Sequence, residues 1–293
     1  MARTYNDLYL DLRHWLRDHG VFEPNRAARE LMRKATGKTW EELIRDGRLY
    51  AADSVERTLS DLAKRCEAGE PVAYLIGEWD FYGLPLTITP AVLIPRPDTE
   101  VLAERAIEAA RSFAECRVLD LCAGSGCVGL AVARQVPTAH VTLGELDAEA
   151  LSLCRKNIRR NGLSSRVGAV QTDALAPPQR QLGAFDVIVC NPPYIPSGDI
   201  PGLDPSVRDY EPHLALDGGA DGLDFYRAIC ENWRAALHSC GKLIFEVGIR
   251  QAEDVARLLR GSGFEDIQTT DDPAGIPRVV CGTFWENENE KTG

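Results

Sequence analysis

Asp120-Leu121-Cys122-Ala123-Gly124-Ser125-Gly126 decides the fold. It leaves an apolar run, Arg117–Leu121, and enters a helical pattern, Val128–Val136. Glycines in such a loop let the backbone approach a ligand closely. The alternation continues downstream. Strands are expected at His140–Glu145, 167–171, Phe185–Cys190 and Lys242–Val247, with closing strands at 264–270 and 279–285. Helices are expected at 147–161, ended by Asn161-Gly162, at 222–239 and at 250–261. Strands alternating with helices predict an α/β fold, with a parallel sheet covered on both faces. Ligands then sit beyond the carboxyl ends of the strands.

Upstream the pattern is different. Residues 3–68 read as a small helical bundle. Tyr5, Leu8, Leu12, Trp15 and Leu16 form one stripe. Pro24 opens a second helix carrying Ala27, Ala28, Leu31, Met32 and Ala35, which ends near Gly37. Thr39 and Glu42 have capping-box spacing for a third. Asp53 is the expected cap of a fourth, with Val55, Leu59, Leu62 and Cys66 inward. Residues 72–94 are apolar and broken by Gly77, Gly83 and Pro85, which predicts a β-hairpin. Residues 98–114 return to helix, capped by Asp98 or Thr99. Trp15, Trp40 and Trp79 are expected in the core. The last residues read as a polar tail.

Composition narrows the function. No apolar run approaches the ~20 residues of a membrane span, and no secretory signal core is present. Nine cysteines without a Cys-x-x-Cys pair suggest reduced thiols in the cytoplasm rather than disulfides or zinc. His14, His19, His140, His213 and His238 have no metal spacing. The net charge is −11. Residues 1–90 hold 13 Lys/Arg against 15 Asp/Glu, and the remainder is more acidic. A duplex-binding enzyme needs a basic surface, and none is evident.

Two constellations carry chemistry. The first is the glycine loop with Glu145, which ends the next strand and can accept the hydroxyl protons of a ribose. Gly124, Gly126 and Gly129 also satisfy the dinucleotide fingerprint, so a nicotinamide-dependent dehydrogenase competes at this point. Asp120 leans the other way. Its charge would repel a pyrophosphate but suit the ammonium of S-adenosylmethionine. Asp173, after the third strand, lies where an adenine amino group could be met, or else caps a turn.

The second is Asn191-Pro192-Pro193-Tyr194, directly after a buried strand. The prolines fix φ and remove two backbone donors, which leaves carbonyls free to accept. The Asn191 and Pro192 carbonyls can hold both N–H bonds of a planar NH₂ group, and Tyr194 can stack on it. Such a nitrogen is poorly nucleophilic because its lone pair is delocalised. Acceptors placed out of plane favour a pyramidal nitrogen that attacks a sulfonium methyl in line.

On these residues the chain resembles the release factor glutamine methyltransferases (the HemK/PrmC family). The similarity includes Glu70–Gly77, Phe81–Leu84 and Leu93-Ile94-Pro95-Arg96-Pro97-Asp98-Thr99-Glu100. It extends to Glu211-Pro212, Ala215-Leu216, Gly218-Gly219, Asp221-Gly222, Glu246, Gly248, Gln251, Asp272, Ala274-Gly275 and Arg278-Val279. The resemblance implies a Rossmann-like class I methyltransferase seven-stranded sheet with an all-helical N-terminal domain. It divides the chain into a helical docking domain 1–71, a hairpin linker 72–97, a methyltransferase domain 98–286 and a tail 287–293.

The resemblance also implies that Asp120, Cys122, Ala123, Gly124, Ser125, Gly126, Glu145, Asp173, Ala174 and Asn191 bind S-adenosylmethionine, which leaves as S-adenosylhomocysteine. Asn191, Pro192 and Tyr194 would act catalytically and, with Pro193, hold the target glutamine. The implied partner is a class I release factor, with no direct nucleic-acid binding, no membrane, no metal and a monomeric state. Cys122 and Ala123 stand where Gly and Thr are common, Glu145 where Asp is common, and Ala174 where a larger residue is common. Arg96 is expected either to hold the site closed or to pair with Glu100. A ribosomal-protein glutamine methyltransferase shares much of this pattern, and a DNA adenine N6-methyltransferase shares the tetrapeptide. A non-enzymatic binding module would leave both constellations unexplained.

Overall fold

In the computed structural model, residues 3–21 and 23–285 are described. The expected tail, 287–293, lies outside them. The chain forms two compact units, one of residues 1–78 with 204–210, the other of 79–203 with 211–293.

The first unit begins with four helices, α1 Tyr5–Asp18, α2 Pro24–Thr36, α3 Trp40–Arg45 and α4 Asp53–Glu67. Capping boxes start two of them. Thr4 and Asp7 cap α1, and Thr39 and Glu42 cap α3. Pro24 is the first residue of α2, and Gly37 closes it in the left-handed conformation. The expected stripes face inward, burying Leu8, Leu12 and Leu16 of α1 and Leu59, Leu62 and Cys66 of α4. Asp53 does not cap α4. Ala52 is its N-cap, and Asp53 stands in the first turn, where its charge still suits the helix dipole.

Residues 72–76 correct the sequence reading. They form a single helical turn, α5 Val72–Ile76, not a strand. Ala73 through Ile76 are all buried, so burial leaves no alternation from which to read a period. Pro71 precedes the turn and Gly77 ends it at φ 76°. The hairpin follows as β1 Glu78–Phe81 and β2 Leu84–Thr87. Tyr82 and Gly83 join its strands with φ of 50° and 73°, the positive values that tight hairpin turns require.

The second unit continues with α6 Thr99–Arg111, β3 Cys116–Leu121, α7 Cys127–Gln135, β4 Ala139–Glu145, α8 Ala148–Arg160, β5 Val167–Gln171 and β6 Phe185–Cys190. A short helix, α9 Pro205–Arg208, lies in the segment that belongs to the first unit. Then come α10 Asp224–Asn232, β7 Leu237–Glu246, α11 Ala252–Gly261, β8 Phe264–Asp271 and β9 Pro277–Phe284.

The seven-stranded sheet has the order β5-β4-β3-β6-β7-β9-β8. Neighbouring pairs from β5 through β7 are parallel. The sheet is not wholly parallel, however, because β9 runs antiparallel to both β7 and β8. A seven-residue span from Asp271 to Pro277 joins β8 to β9 as a hairpin, too short for the crossover that parallel strands need.

The core packs around Phe185, Tyr226, Trp233 and Phe245, each under 2 % exposed. Trp15, Trp40 and Trp79 are only partly buried, so the expectation that they form core fails. Trp15 stacks on His19 at 4.0 Å, and Arg29 lies over the Trp40 ring.

Gly129 sets how closely α7 approaches the sheet. A Cβ there would run into the Leu143 side chain and come within 3.0 Å of both Asp120 Oδ2 and Val141 Cγ1. We expect Gly129→Ala to lower stability. Overpacking costs about 1–3 kcal/mol and outweighs the ~1 kcal/mol an Ala gains in helix propensity. Thermal denaturation checks this, and an unchanged or raised midpoint refutes it.

Candidate active site

The carboxyl ends of the parallel strands share one edge of the sheet. Register places the key residues side by side there. Cys190 pairs with Leu121 on one flank and Phe245 on the other. The next residues, Cys122, Asn191 and Glu246, therefore stand level.

The glycine loop follows β3. Cys122 has φ 57°, a left-handed backbone on a non-glycine residue. That conformation costs about 1–2 kcal/mol in an L-residue and explains why glycine suits this position. Glu145 ends β4 and is 9 % exposed. Its Oε2 accepts the Gly124 N–H at 2.8 Å, and its Oε1 accepts those of Leu146 and Asp147 at 2.7 and 3.0 Å. Oε1 is thereby filled, and Oε2 keeps a further lone pair for a ligand.

Asp120 is 2 % exposed, and Oδ2 accepts the Gly129 N–H at 2.8 Å. Burial pushes its carboxyl up to about 7, partly offset by that N–H, with Glu145 adding to the rise. Ser125 Oγ is buried with no partner among the described residues. The position of a Gly124 Cβ opens onto empty space. These features suit a polar nucleoside-type ligand. Asp173 is a turn residue here, its Oδ1 accepting the Leu175 N–H at 2.9 Å. Ala174 is buried in the core, and its carbonyl accepts the Trp233 indole N–H at 2.9 Å. Leu146 and Leu175, exposed and next to these loops, were not singled out from sequence.

Sequence reasoning also missed Asn157. It is fully buried on α8, where it accepts the Thr87 N–H at 2.7 Å. Its Nδ2 donates to Thr87 O and Ser125 O at 3.1 and 2.9 Å. One turn earlier, the Cys154 thiol donates to Gly124 O at 3.1 Å. The glycine loop is thus held by α8 from behind. The available signal was an amide inside the apolar stripe of Leu153, Cys154 and Ile158.

The tetrapeptide turn is clamped from three sides. Gln251 Nε2 donates to Tyr194 O at 2.9 Å and to Gly222 O at 3.2 Å, while its Oε1 accepts the Gly248 N–H. A Cβ at Gly218 would lie 2.7 Å from Tyr194 Cα, and one at Gly222 would strike Tyr194 O. Pro192 and Pro193 are buried, and Asn191 and Tyr194 are partly exposed. Burial raises the Tyr194 phenol far above its ordinary range, with Glu246 next in effect.

Charged residues surround this turn. Arg96 pairs with Glu211 at 2.5 Å, not with Glu100, whose Oε1 instead accepts the Tyr82 N–H at 3.4 Å. Burial raises the Glu211 carboxyl despite Arg96, and its Oε2 has no partner among the described residues. Asp98 is the N-cap of α6 but makes no side-chain cap bond. It pairs with Arg278 at 3.0 Å, and Arg278 also meets Asp272 at 3.2 Å.

Comparison with known proteins now bears on this site. Residues 97–200 match the family model "Methyltransferase small domain", and residues 7–77 match "PrmC N-terminal domain". Release factor glutamine methyltransferase of Bradyrhizobium diazoefficiens is 39 % identical over 269 residues, covering 90 % of each chain. That of Salmonella typhimurium is 36 % identical over 283 residues, covering 94 % of this chain and 99 % of the relative.

This chain belongs to the release factor glutamine methyltransferase family.

That of Geobacter sulfurreducens is 45 % identical over 221 residues, covering 75 % of this chain and 76 % of the relative. The catalytic domain of hMettl16, solved with an RNA hairpin, matches with TM-score 0.57 at 18 % identity, over 75 % of this chain and 82 % of that one. At that identity it speaks to the fold alone. The family membership makes the chain a methyltransferase and removes the dehydrogenase reading of the glycine loop. No helix among the described residues is long and apolar enough to cross a membrane.

The raised carboxyl of Asp120 has a measurable cost. In the fold it titrates at about 7, above the ordinary carboxylate value of 3.8, so folding favours the protonated form. Stability from this group is complete below pH ~4 and is lost as pH rises through 7. We expect Asp120→Asn, which keeps the acceptor for Gly129, to be the more stable protein at pH 8 by roughly 1–4 kcal/mol. The gap should close toward pH 4. Melting curves across that range check it, and a gap that is absent or widens toward acid refutes it.

Proposed function

We propose that the enzyme transfers a methyl group from S-adenosylmethionine to the side-chain amide nitrogen of the glutamine in the Gly-Gly-Gln loop of class I peptide chain release factors. The observation that carries this reading is the clamped Asn191–Tyr194 turn, level with the glycine loop on one sheet edge. The names of the relatives supply the substrate.

The donor-side residues fit the cofactor. Asp120 offers a buried carboxylate to the methionine ammonium, and Ser125 Oγ is a polar atom in the cradle with no partner among the described residues. Glu145 would accept from a ribose hydroxyl with the remaining lone pair of Oε2. Leu146 and Leu175 would cover the adenine faces, with Asp173 and Ala174 beside them. Cys122, Ala123, Gly124 and Gly126 supply the backbone that lets the ligand in. When bound, S-adenosylmethionine supplies an electrophilic sulfonium methyl.

At the acceptor, Asn191 Oδ1 and the Pro192 carbonyl accept the two N–H bonds of the target amide. Their placement out of plane pyramidalises the nitrogen and turns its lone pair toward the methyl. Pro193 keeps the turn rigid, and the Tyr194 ring stacks on the amide and excludes water. No base is needed before attack, because the N-methylated cation is itself strongly acidic. Preorganised acceptors of this kind are worth about 10²–10³ in rate.

The domain assignment enters here as well. We read residues 1–71 as the release-factor docking domain, 72–97 as linker and 98–286 as the methyltransferase domain. Ile44, Leu49 and Tyr50, at 65, 58 and 70 % exposure, are large hydrophobic side chains left open on the helical unit, and they suit a protein partner. The reading places the reaction in the cytoplasm, with the enzyme acting as a monomer.

The decisive assay offers labelled S-adenosylmethionine with release factor, ribosomal protein and DNA in parallel, followed by mass spectrometry of the modified residue. Label confined to the release-factor glutamine is expected, and label on DNA or on the ribosomal protein alone overturns the reading. Asn191→Ala should lower kcat by roughly 10²–10³ with the melting point nearly unchanged. Wild-type turnover in that variant would sink the paired-acceptor role. Replacing Ile44, Leu49 and Tyr50 together with Ser should raise KM for release factor about tenfold while leaving cofactor affinity intact. An unchanged KM removes the docking role from these three residues.

A further inference from the structure

Glu246 is an expensive residue that the mechanism above leaves unused. It ends β7, is 2 % exposed, and its Oε2 has no hydrogen-bond partner among the described residues. An ionised carboxylate buried this way costs several kcal/mol unless something compensates. Its backbone is pinned. Tyr226 Oη donates to Glu246 O at 2.9 Å, and the following Val247 N–H donates to Arg278 O at 2.8 Å. Glu246 therefore stands level with Asn191, the residue that follows β6.

Thr99, also 2 % exposed, stands in the same cluster. The Thr99 hydroxyl and the Asn191 side chain both favour the ionised Glu246 carboxylate. Asn191 Nδ2 donates to Thr99 Oγ1 at 3.5 Å. This sequence of groups has a direction. A carboxylate only accepts, so Thr99 must spend its single proton on Glu246. Its oxygen then offers only lone pairs to Asn191. The end of the Asn191 amide that faces Thr99 must be the NH₂ end, which turns Oδ1 the other way.

We propose that Glu246 and Thr99 are positioning residues that fix the orientation of the Asn191 amide, so that its oxygen, never its nitrogen, meets the substrate NH₂ group. The inference rests on the acceptor role given to Asn191 above. A flipped Asn191 would set N–H against N–H and could not pyramidalise the target. Reversal of this polarity needs only a proton on Glu246, which would let the carboxyl donate to Thr99.

Burial pushes the Glu246 carboxyl up to about 7, with Thr99, Arg278 and Asn191 pulling it down and Asp98 adding to the rise. The other titratable groups facing it are Asp98 from α6, Cys127 from α7, Tyr194 after β6, Tyr226 from α10 and Arg278 from β9. Burial raises the Cys127 thiol to about 12 and lifts both phenols, so none of these three titrates near neutrality. Asp120 does, but it faces the donor and should act on KM for S-adenosylmethionine. At saturating donor, kcat should fall as pH drops through 7.

The test uses the full-length enzyme, release factor and labelled S-adenosylmethionine. Glu246→Gln should lower kcat ten- to hundredfold, change KM for either substrate less than threefold, and abolish the acid limb of the kcat profile. Thr99→Val should lose a similar factor, Thr99→Ser should recover most of it, and the double variant should be no worse than the poorer single one. Should Glu246→Gln fail to fold, as judged by circular dichroism and donor binding, the Thr99 pair decides alone. Wild-type kcat in Glu246→Gln with its acid limb intact, or equal losses in Thr99→Val and Thr99→Ser, overturns the proposal. Those results leave the proposed reaction standing. Absence of any transfer to release factor by the wild-type enzyme overturns the reaction instead.

Discussion

The Tyr194 carbonyl, gripped by Gln251 at 2.9 Å, is the contact on which the acceptor site depends. A turn with two successive prolines has lost two backbone donors and cannot fasten itself by ordinary ladder bonds. It must be held by groups brought from elsewhere. Gln251 reaches it from the start of α11, and glycines 218 and 222 allow neighbouring backbone to close on it without a Cβ between. The result is a short segment with little conformational freedom at the end of a strand whose last four residues are buried. Acceptors aimed in advance need no reorganisation during the reaction, which is where such sites gain their rate.

Much of this was legible in the sequence, and the reasons differ by element. The strand β6 and the helix α8 announce themselves through long apolar runs and stripes. The capping boxes at Thr4 and Thr39 are local, so they can be found without knowing the fold. The helical turn α5 could not be read, because four consecutive buried residues carry no period. Asp98 looked like a cap, yet its partner Arg278 lies 180 residues away. The sequence left Arg96 either holding the site closed or pairing with Glu100, and it meets Glu211. Side-chain pairs across the sheet depend on register, and register is invisible until the strands are ordered. Glu246 and Asn157 belong to the same class. Each was a residue in a pattern until its neighbours were known.

Two carboxyls in this site, Asp120 and Glu246, sit near neutrality because burial outweighs the groups that stabilise their charge. They stand on opposite sides of the acceptor strand, one on β3 and one on β7. The first serves a charged ligand, and the second governs the polarity of a neutral amide. Natural sites commonly accept such local cost where chemistry needs it. The left-handed Cys122 is a third concession at the same sheet edge, of about the same kind as a strained turn residue elsewhere.

The segment 204–210 has a consequence for the inheritance of the molecule. It lies in sequence soon after the acceptor turn, yet it completes the helical unit, where Tyr210 donates to Ala68 O at 2.9 Å. A cut after Glu78 would yield two fragments, neither holding that unit whole. The helical part is therefore not an interchangeable cassette. A chain that acquired a different N-terminal region by recombination would still carry seven residues shaped for the old one, within the stretch of gene that encodes the catalytic domain.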